Sequence, residues 1–213
     1  MKKLAGILAA AFALALVAGS AHALPVSTAS IGGGKGCLDA ACASQRLSWS
    51  LSAGSGSGTL GLSGTTLIFS ISLPSSTFLP TTGPNDNGVT QLVFTNTTYA
   101  GTATLLNLGF GAYSITGGTA SISGTQTPTG AGVAGPFSAL SSLLSGSCFD
   151  SGPLGVTCGI IFSASNDFNF AVNGQTRYFT HTLNVTAVPE PTTAMLVLAG
   201  LFGLGLTGRR SRR

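Results

Sequence analysis

Apolar and polar residues alternate through most of the middle of this chain. Leu47-Ser48-Trp49-Ser50-Leu51-Ser52 is strict alternation, and Leu67, Phe69, Ile71 and Leu73 share one face of a second run whose other face is Thr66, Ser70 and Ser72. A pleated strand sends successive side chains to opposite faces, so a period of two predicts strands with one buried and one solvated face. The same pattern, enriched in β-branched and aromatic residues, predicts strands over 89–99, 102–108, 113–123, 159–164, 167–172 and 176–187.

The joints between these runs carry turn chemistry. Asn173-Gly174 separates two alternating runs and predicts a hairpin, because a type I′ turn needs positive φ at both central positions. Residues 54–58, 84–88 and 128–136, and the pair Gly117-Gly118, read as further turns or loops. One segment departs from the pattern: Phe137, Leu140, Leu143 and Leu144 follow helical spacing and predict a short helix over 136–144. Eight to ten short strands within residues 24–187, with no break in composition, predict one all-β domain. The expected form is a single antiparallel β-sandwich or jelly-roll-like domain with that one helix.

The two ends of the chain differ in kind from its middle. Residues 1–23 have a basic start, Lys2 and Lys3, an apolar run from 4 to 17, and Ser20-Ala21-His22-Ala23. Small residues at Ala21 and Ala23 suit signal peptidase, which places cleavage before Leu24, and the apolar run is too short for a membrane span. Six of the nine cations lie in the terminal segments. Between Leu24 and Val188 only Lys35, Arg46 and Arg177 stand against Asp39, Asp86, Asp150 and Asp167, a net charge of −1 with no Glu. Binding to nucleic acid, which requires clustered Lys and Arg, has no support there.

The C-terminus reads Val188-Pro189-Glu190-Pro191, then 17 uncharged residues from Thr192 to Gly208, then Arg209, Arg210, Arg212 and Arg213. As a helix the uncharged stretch is about 26 Å long, close to one hydrocarbon thickness, and the arginines would stay on the cytoplasmic side. This predicts a C-terminal transmembrane helix over 192–208 with the middle domain exported. These features, in this order and behind a signal peptide, resemble the PEP-CTERM sorting signal of Gram-negative bacteria. The resemblance covers residues 188–213. It implies recognition by a membrane-embedded exosortase, a cysteine transpeptidase-like enzyme that cuts near the Pro-Glu-Pro and passes the protein to the cell surface or the extracellular space. Pro189, Glu190, Pro191, Arg209 and Arg210 are then recognition residues. The competing reading is a plain anchor in which Pro189 and Pro191 only break a helix.

Export bears on the four cysteines. In an oxidising compartment disulfides are the default, and of three possible connectivities the local one, Cys37 with Cys42 and Cys148 with Cys158, is favoured. Neither pair has the spacing of a zinc site, and no metal or cofactor is expected.

Little in the middle points to catalysis. Cys148-Phe149-Asp150-Ser151-Gly152-Pro153 resembles the serine block of chymotrypsin-like proteases with one Gly missing, but His181 lies after the serine rather than before it. A turn clipped by a disulfide is the ordinary reading. The four Asp are scattered singly, unlike the carboxylate pair of a glycosidase. Pro84-Asn85-Asp86-Asn87-Gly88 has oxygen ligands for calcium but one carboxylate. The chain therefore reads as a non-enzymatic surface or matrix protein, structural or adhesive, associated with exopolysaccharide or biofilm. The alternative is a carbohydrate-binding module using Trp49, Tyr99, Tyr113 and Tyr178 as ring platforms. A more remote one is an ice-binding-like surface built on steps such as Thr102/Thr104 and Thr180/Thr182.

Overall fold

A computed structural model describes residues 22–50, 56–80, 88–163 and 169–189. The signal segment up to Ala21, residues 84–87 of the calcium-like turn, Asp167, and Glu190, Pro191, Arg209 and Arg210 of the tail lie outside them. Among the described residues there is no α-helix, and none long and apolar enough to cross a membrane. The expected transmembrane stretch lies outside the described residues.

Eleven strands follow one another: β1 His22–Cys37, β2 Gln45–Ser50, β3 Ser57–Ser63, β4 Thr66–Pro80, β5 Val89–Gly109, β6 Ala112–Gly130, β7 Gly135–Ser141, β8 Ser145–Asp150, β9 Val156–Phe162, β10 Asn169–Val172 and β11 Gln175–Ala187. All pair antiparallel in one sheet. Three pairs share a single position each. β2 and β3 both lie between β1 and β4, β7 and β8 both lie on one edge of β6, and β9 and β10 both lie on one edge of β11. The order around the sheet therefore follows the order along the chain, and β11 pairs with β1 from Val26↔Ala187 to Cys37↔Tyr178, which brings the sheet back to its start.

The all-β, antiparallel expectation holds. The opposed inner faces of a sandwich arise here within one sheet curled onto itself, without the crossovers of a jelly roll. Short joints explain this, since each strand pairs with the one before it most cheaply when the loop between is short. Asn173 at φ 48° and Gly174 at φ 73° form such a joint, as expected.

Two expectations fail. Residues 135–141 form β7 and not a helix: Phe137, Ala139 and Ser141 point inward while Ser138 and Leu140 point out. A helix of so few turns pays a nucleation cost with few bonds in return, whereas the free edge of β6 offers a ladder from Ala120↔Ser141 to Gln126↔Gly135. Gly117-Gly118 is not a turn but lies inside β6 opposite Thr104 and Ala103. Gly118 is at φ 129°, and a Cβ there would strike the Thr102 carbonyl and lie 2.5 Å from Ala103 Cα, so close strand approach explains this glycine. β1, β3 and β8 escaped the apolar pattern because glycines and small polar residues interrupt the alternation. β1 begins at His22, and Leu24, the first residue after the expected cleavage, pairs with Leu60.

The interior is packed. Phe94 lies against Phe137 and Phe179, with ring centroids at 4.8 and 6.3 Å, and Tyr99 against Phe162 at 5.3 Å. Each such buried ring contributes about 1.5–3 kcal/mol over an exposed one. Cross-strand Cys148 and Cys158 are joined by a disulfide, Cα to Cα 4.1 Å, and Cys37 and Cys42 by another at 5.0 Å. These are the local pairings, and they point to an oxidising compartment.

Candidate functional site

The sequence candidates for chemistry are held apart. Ser151 stands exposed in the turn after β8, where Asp150 Oδ1 accepts the Gly152 N–H at 2.7 Å and a 3-10 turn, Gly152–Leu154, follows. His181 is buried on β11 opposite Phe162, six residues along β9 from Val156 and so about 20 Å from that turn. It stacks on Phe162 at 4.9 Å and meets the edge of Tyr99 at 5.6 Å, and burial pushes its pKa down to about 3. A neutral ring packed in a core is what this environment favours. Asp39 closes the loop after β1, its carboxylate accepting the Ala43 and Ser44 N–H groups at 3.1 and 3.2 Å. Asp39 and Asp150 lie at opposite ends of the sheet, too far apart for a carboxylate pair. Among the described residues no three His, Cys, Asp or Glu side chains gather as metal ligands.

The aromatic platform does not assemble from the described rings. Tyr99 is buried, Tyr113 packs on the core near one end, and Tyr178 lies near the other. The side chain of Trp49 lies outside the described ones. Thr102/Thr104 and Thr180/Thr182 also part company: β5 and β11 stand on opposite sides of the closed circuit.

What the fold does assemble is an uncharged hydroxyl face across the outside of β3, β4, β5, β6 and β7. Strand register sets Ser57, Ser72, Thr98, Ser123 and Ser138 in one row, and Thr59, Ser70, Ala100, Ser121 and Leu140 in the next. Below them lie Gly61, Ile68, Thr102 and Thr119, then Ser63, Thr66, Thr104 and Gly117. Neighbours are about 4.8 Å apart across strands and about 6.8 Å apart along them. Ser72 Oγ and Thr98 Oγ1 are 3.5 Å apart, and Ser121 Oγ donates to the Ala100 carbonyl at 3.4 Å.

At its β7 edge this face runs into an open groove lined by Ser121, Ser123, Ser138, Leu140, Ser142 and Asn169. No ladder joins β7 to β10 among the described residues. Instead Gln126 Nε2 donates to the Ala171 carbonyl at 2.9 Å across that gap. Ile122 and Ala139 also line it, so the groove is largely apolar with hydroxyls and an amide at its wall, which suits a neutral polymer that offers both apolar faces and hydroxyls. The signal for this face was present in the sequence as the uncharged polar half of each alternating strand, but the register that stacks five such halves into rows was not.

No family model, curated protein or solved structure matches this chain.

Proposed function

We propose that this chain is an exported cell-surface or matrix protein with a structural or adhesive role, sorted by an exosortase through its C-terminal signal. The observation that carries the reading is the order of features at the C-terminus: Pro189-Glu190-Pro191, then the uncharged stretch over 192–208, then Arg209 and Arg210, behind an N-terminal signal segment. Two disulfides agree with passage through an oxidising compartment. Signal peptidase removes residues 1–23, the tail holds the chain in the membrane transiently, and exosortase processing near Pro189 hands the β domain to the surface. The uncharged hydroxyl face is the surface best suited to an exopolysaccharide, which presents hydroxyls of its own.

The experiment is deletion of residues 189–213 in an exosortase-bearing host. The shortened chain should appear in the medium and vanish from the cell surface. Surface display that survives the deletion would overturn the sorting reading. For the hydroxyl face, Thr102→Lys with Ser121→Lys should reduce retention on a neutral polysaccharide matrix several-fold. Unchanged retention would remove that face from the reading.

A second reading has one observation in its favour. The regular rows around Thr98, Thr102, Thr104 and Thr119 are the kind of uncharged hydroxyl lattice that orders water, as in an ice-binding surface. Inhibition of ice recrystallisation by the purified chain, lost on Thr102→Lys, would establish it.

A further inference from the structure

The chain leaves β11 at one end of the curled sheet, and that exit end is unlike the rest of the surface. The β5–β6 hairpin, the β8–β9 turn and the start of the tail all lie there. Five of the ten large apolar side chains exposed among the described residues belong to it: Leu106, Leu108 and Phe110 on the hairpin, and Phe149 and Leu154 beside the turn. These segments touch. The Asp150 N–H donates to the Gly111 carbonyl at 2.8 Å, and a Cβ on Gly155 would strike the Ala187 carbonyl and lie 3.0 Å from Val188 Cα.

Phe110 sits at the tip of the hairpin, fully exposed, at φ 53° between two glycines that are also at positive φ. A bulky residue rarely adopts this conformation, and here no buried contact compensates for it. Turn chemistry alone would place Asn or Gly there.

Beyond Pro189 the chain continues for 24 residues, and its uncharged stretch starts at Thr192. Three residues span at most about 10 Å, so whatever receives that stretch lies within about 10 Å of the exit end. The charges are arranged to match. Lys35, Arg46 and Arg177 all sit toward the other end, leaving Asp150 as the one charged side chain among the described residues of this end.

We infer that the exit end is a membrane-docking surface, in which Phe110, Leu108 and Leu154 enter the interfacial layer of a bilayer while the C-terminal stretch is held in it. The inference rests on the reading of 192–208 as a membrane segment. The partner is the neutral interfacial and acyl-chain region of the lipid, since no Lys or Arg lies among the described residues of this end to seek anionic head groups, and docking through these side chains is therefore insensitive to salt. It would hold the β domain upright on the membrane, with Pro189 to Pro191 at the bilayer surface, until the tail is processed.

The test uses the full chain from Leu24 to Arg213 in phosphatidylcholine vesicles whose acyl chains are brominated near the head-group end. Phe110→Trp places a fluorophore at the tip. Val133→Trp places one in the exposed β6–β7 turn at the opposite end, and the Trp49 signal is subtracted with the parent chain. Bromine should quench the tip fluorophore roughly twofold or more, at low and high salt alike, and leave the Val133→Trp fluorophore unquenched. Leu154→Trp gives the same readout should Phe110→Trp fail to fold. A chain that incorporates into vesicles with an unquenched tip overturns the docking surface and leaves the membrane segment standing. A chain that fails to incorporate overturns both. A tip emission already blue-shifted without lipid, and reversed on dilution, would assign this end to a second copy of the chain instead.

Discussion

The interior is divided between two halves of different character. In the half next to the chain's exit it is apolar apart from the Ser141 hydroxyl, from Leu67, Phe69 and Leu105 to Ile160, Leu183 and Val185. The far half buries Ser76, Thr97 and Arg177, and His181 lies in the layer between the halves with Tyr99 and Phe162. The hydroxyls of Ser76 and Thr97 find no hydrogen-bond partner there. The exteriors reverse this: apolar tips decorate the exit end, and the cations of the middle domain lie at the far end. The contrast teaches that interior and exterior polarity are set separately. The exit half carries the cohesion, and the far half carries groups whose cost depends on conditions.

Acid should give the largest effect, and it acts through the middle layer. Burial holds the His181 pKa down at about 3, while an unfolded chain has it near 6.5. Above about pH 6.5 the ring is neutral in both states. As pH falls from there towards 3 the unfolded chain takes up a proton that the folded chain refuses, so stability declines across that window and levels off below it. Each pH unit of the window is worth about 1.4 kcal/mol. Urea titrations at pH 7, 5.5 and 4 should show the decline, and His181→Phe should flatten it. An equal slope in the variant would show that the middle layer does not set the acid response.

Next come the two clips. Replacing Cys148 and Cys158 by Ala opens an 11-residue loop at the exit end and should cost about 3 kcal/mol, against about 2 for Cys37 and Cys42 in the chain-entropy model. Thermal unfolding of the two double variants measures the difference, and a larger loss from the far-end pair would reverse the assignment of cohesion.

Smaller still is Thr97→Val, which removes an unpartnered buried hydroxyl from the far half and should stabilise the chain by about 1 kcal/mol. A loss of stability would mean that the hydroxyl is satisfied in solution. The smallest change is expected from Phe110→Ser, within about 0.5 kcal/mol despite the size of the side chain removed, because the ring buries nothing in the folded domain. Chemical denaturation of the tail-processed form checks this, and a substantial loss would place Phe110 in the fold rather than at a surface.

Most of the strands were legible because alternation is a local property: Phe69, Ile71 and Leu73 declare their face wherever the strand ends up. The helix expected over 136–144 shows the limit. Phe137 fits a helical stripe with Leu144 and also fits a strand with its neighbours Ala139 and Ser141, and only the presence of the β6 edge decides between them. The predicted type I′ turn at Asn173-Gly174 is what the structure contains, because backbone sterics act within two residues. By contrast, the Gly117-Gly118 pair looked like a turn and proved to be a place where two strands come close, which no local rule reports.

By itself, then, the sequence determined that the middle domain is built of antiparallel strands, that these strands have one apolar and one uncharged polar face, and that neighbouring cysteines can pair. These properties depend on residues close together along the chain. The tertiary structure decided what depends on residues far apart: that β11 returns to pair with β1, that His181 faces Phe162 and Tyr99 and stands away from Ser151, that five polar half-strands align into rows, and that Phe110 and Leu154 share the end at which the chain leaves β11. Hydrogen-bond register and closure are pairwise relations between distant segments, and alternation along one strand carries no record of its partner.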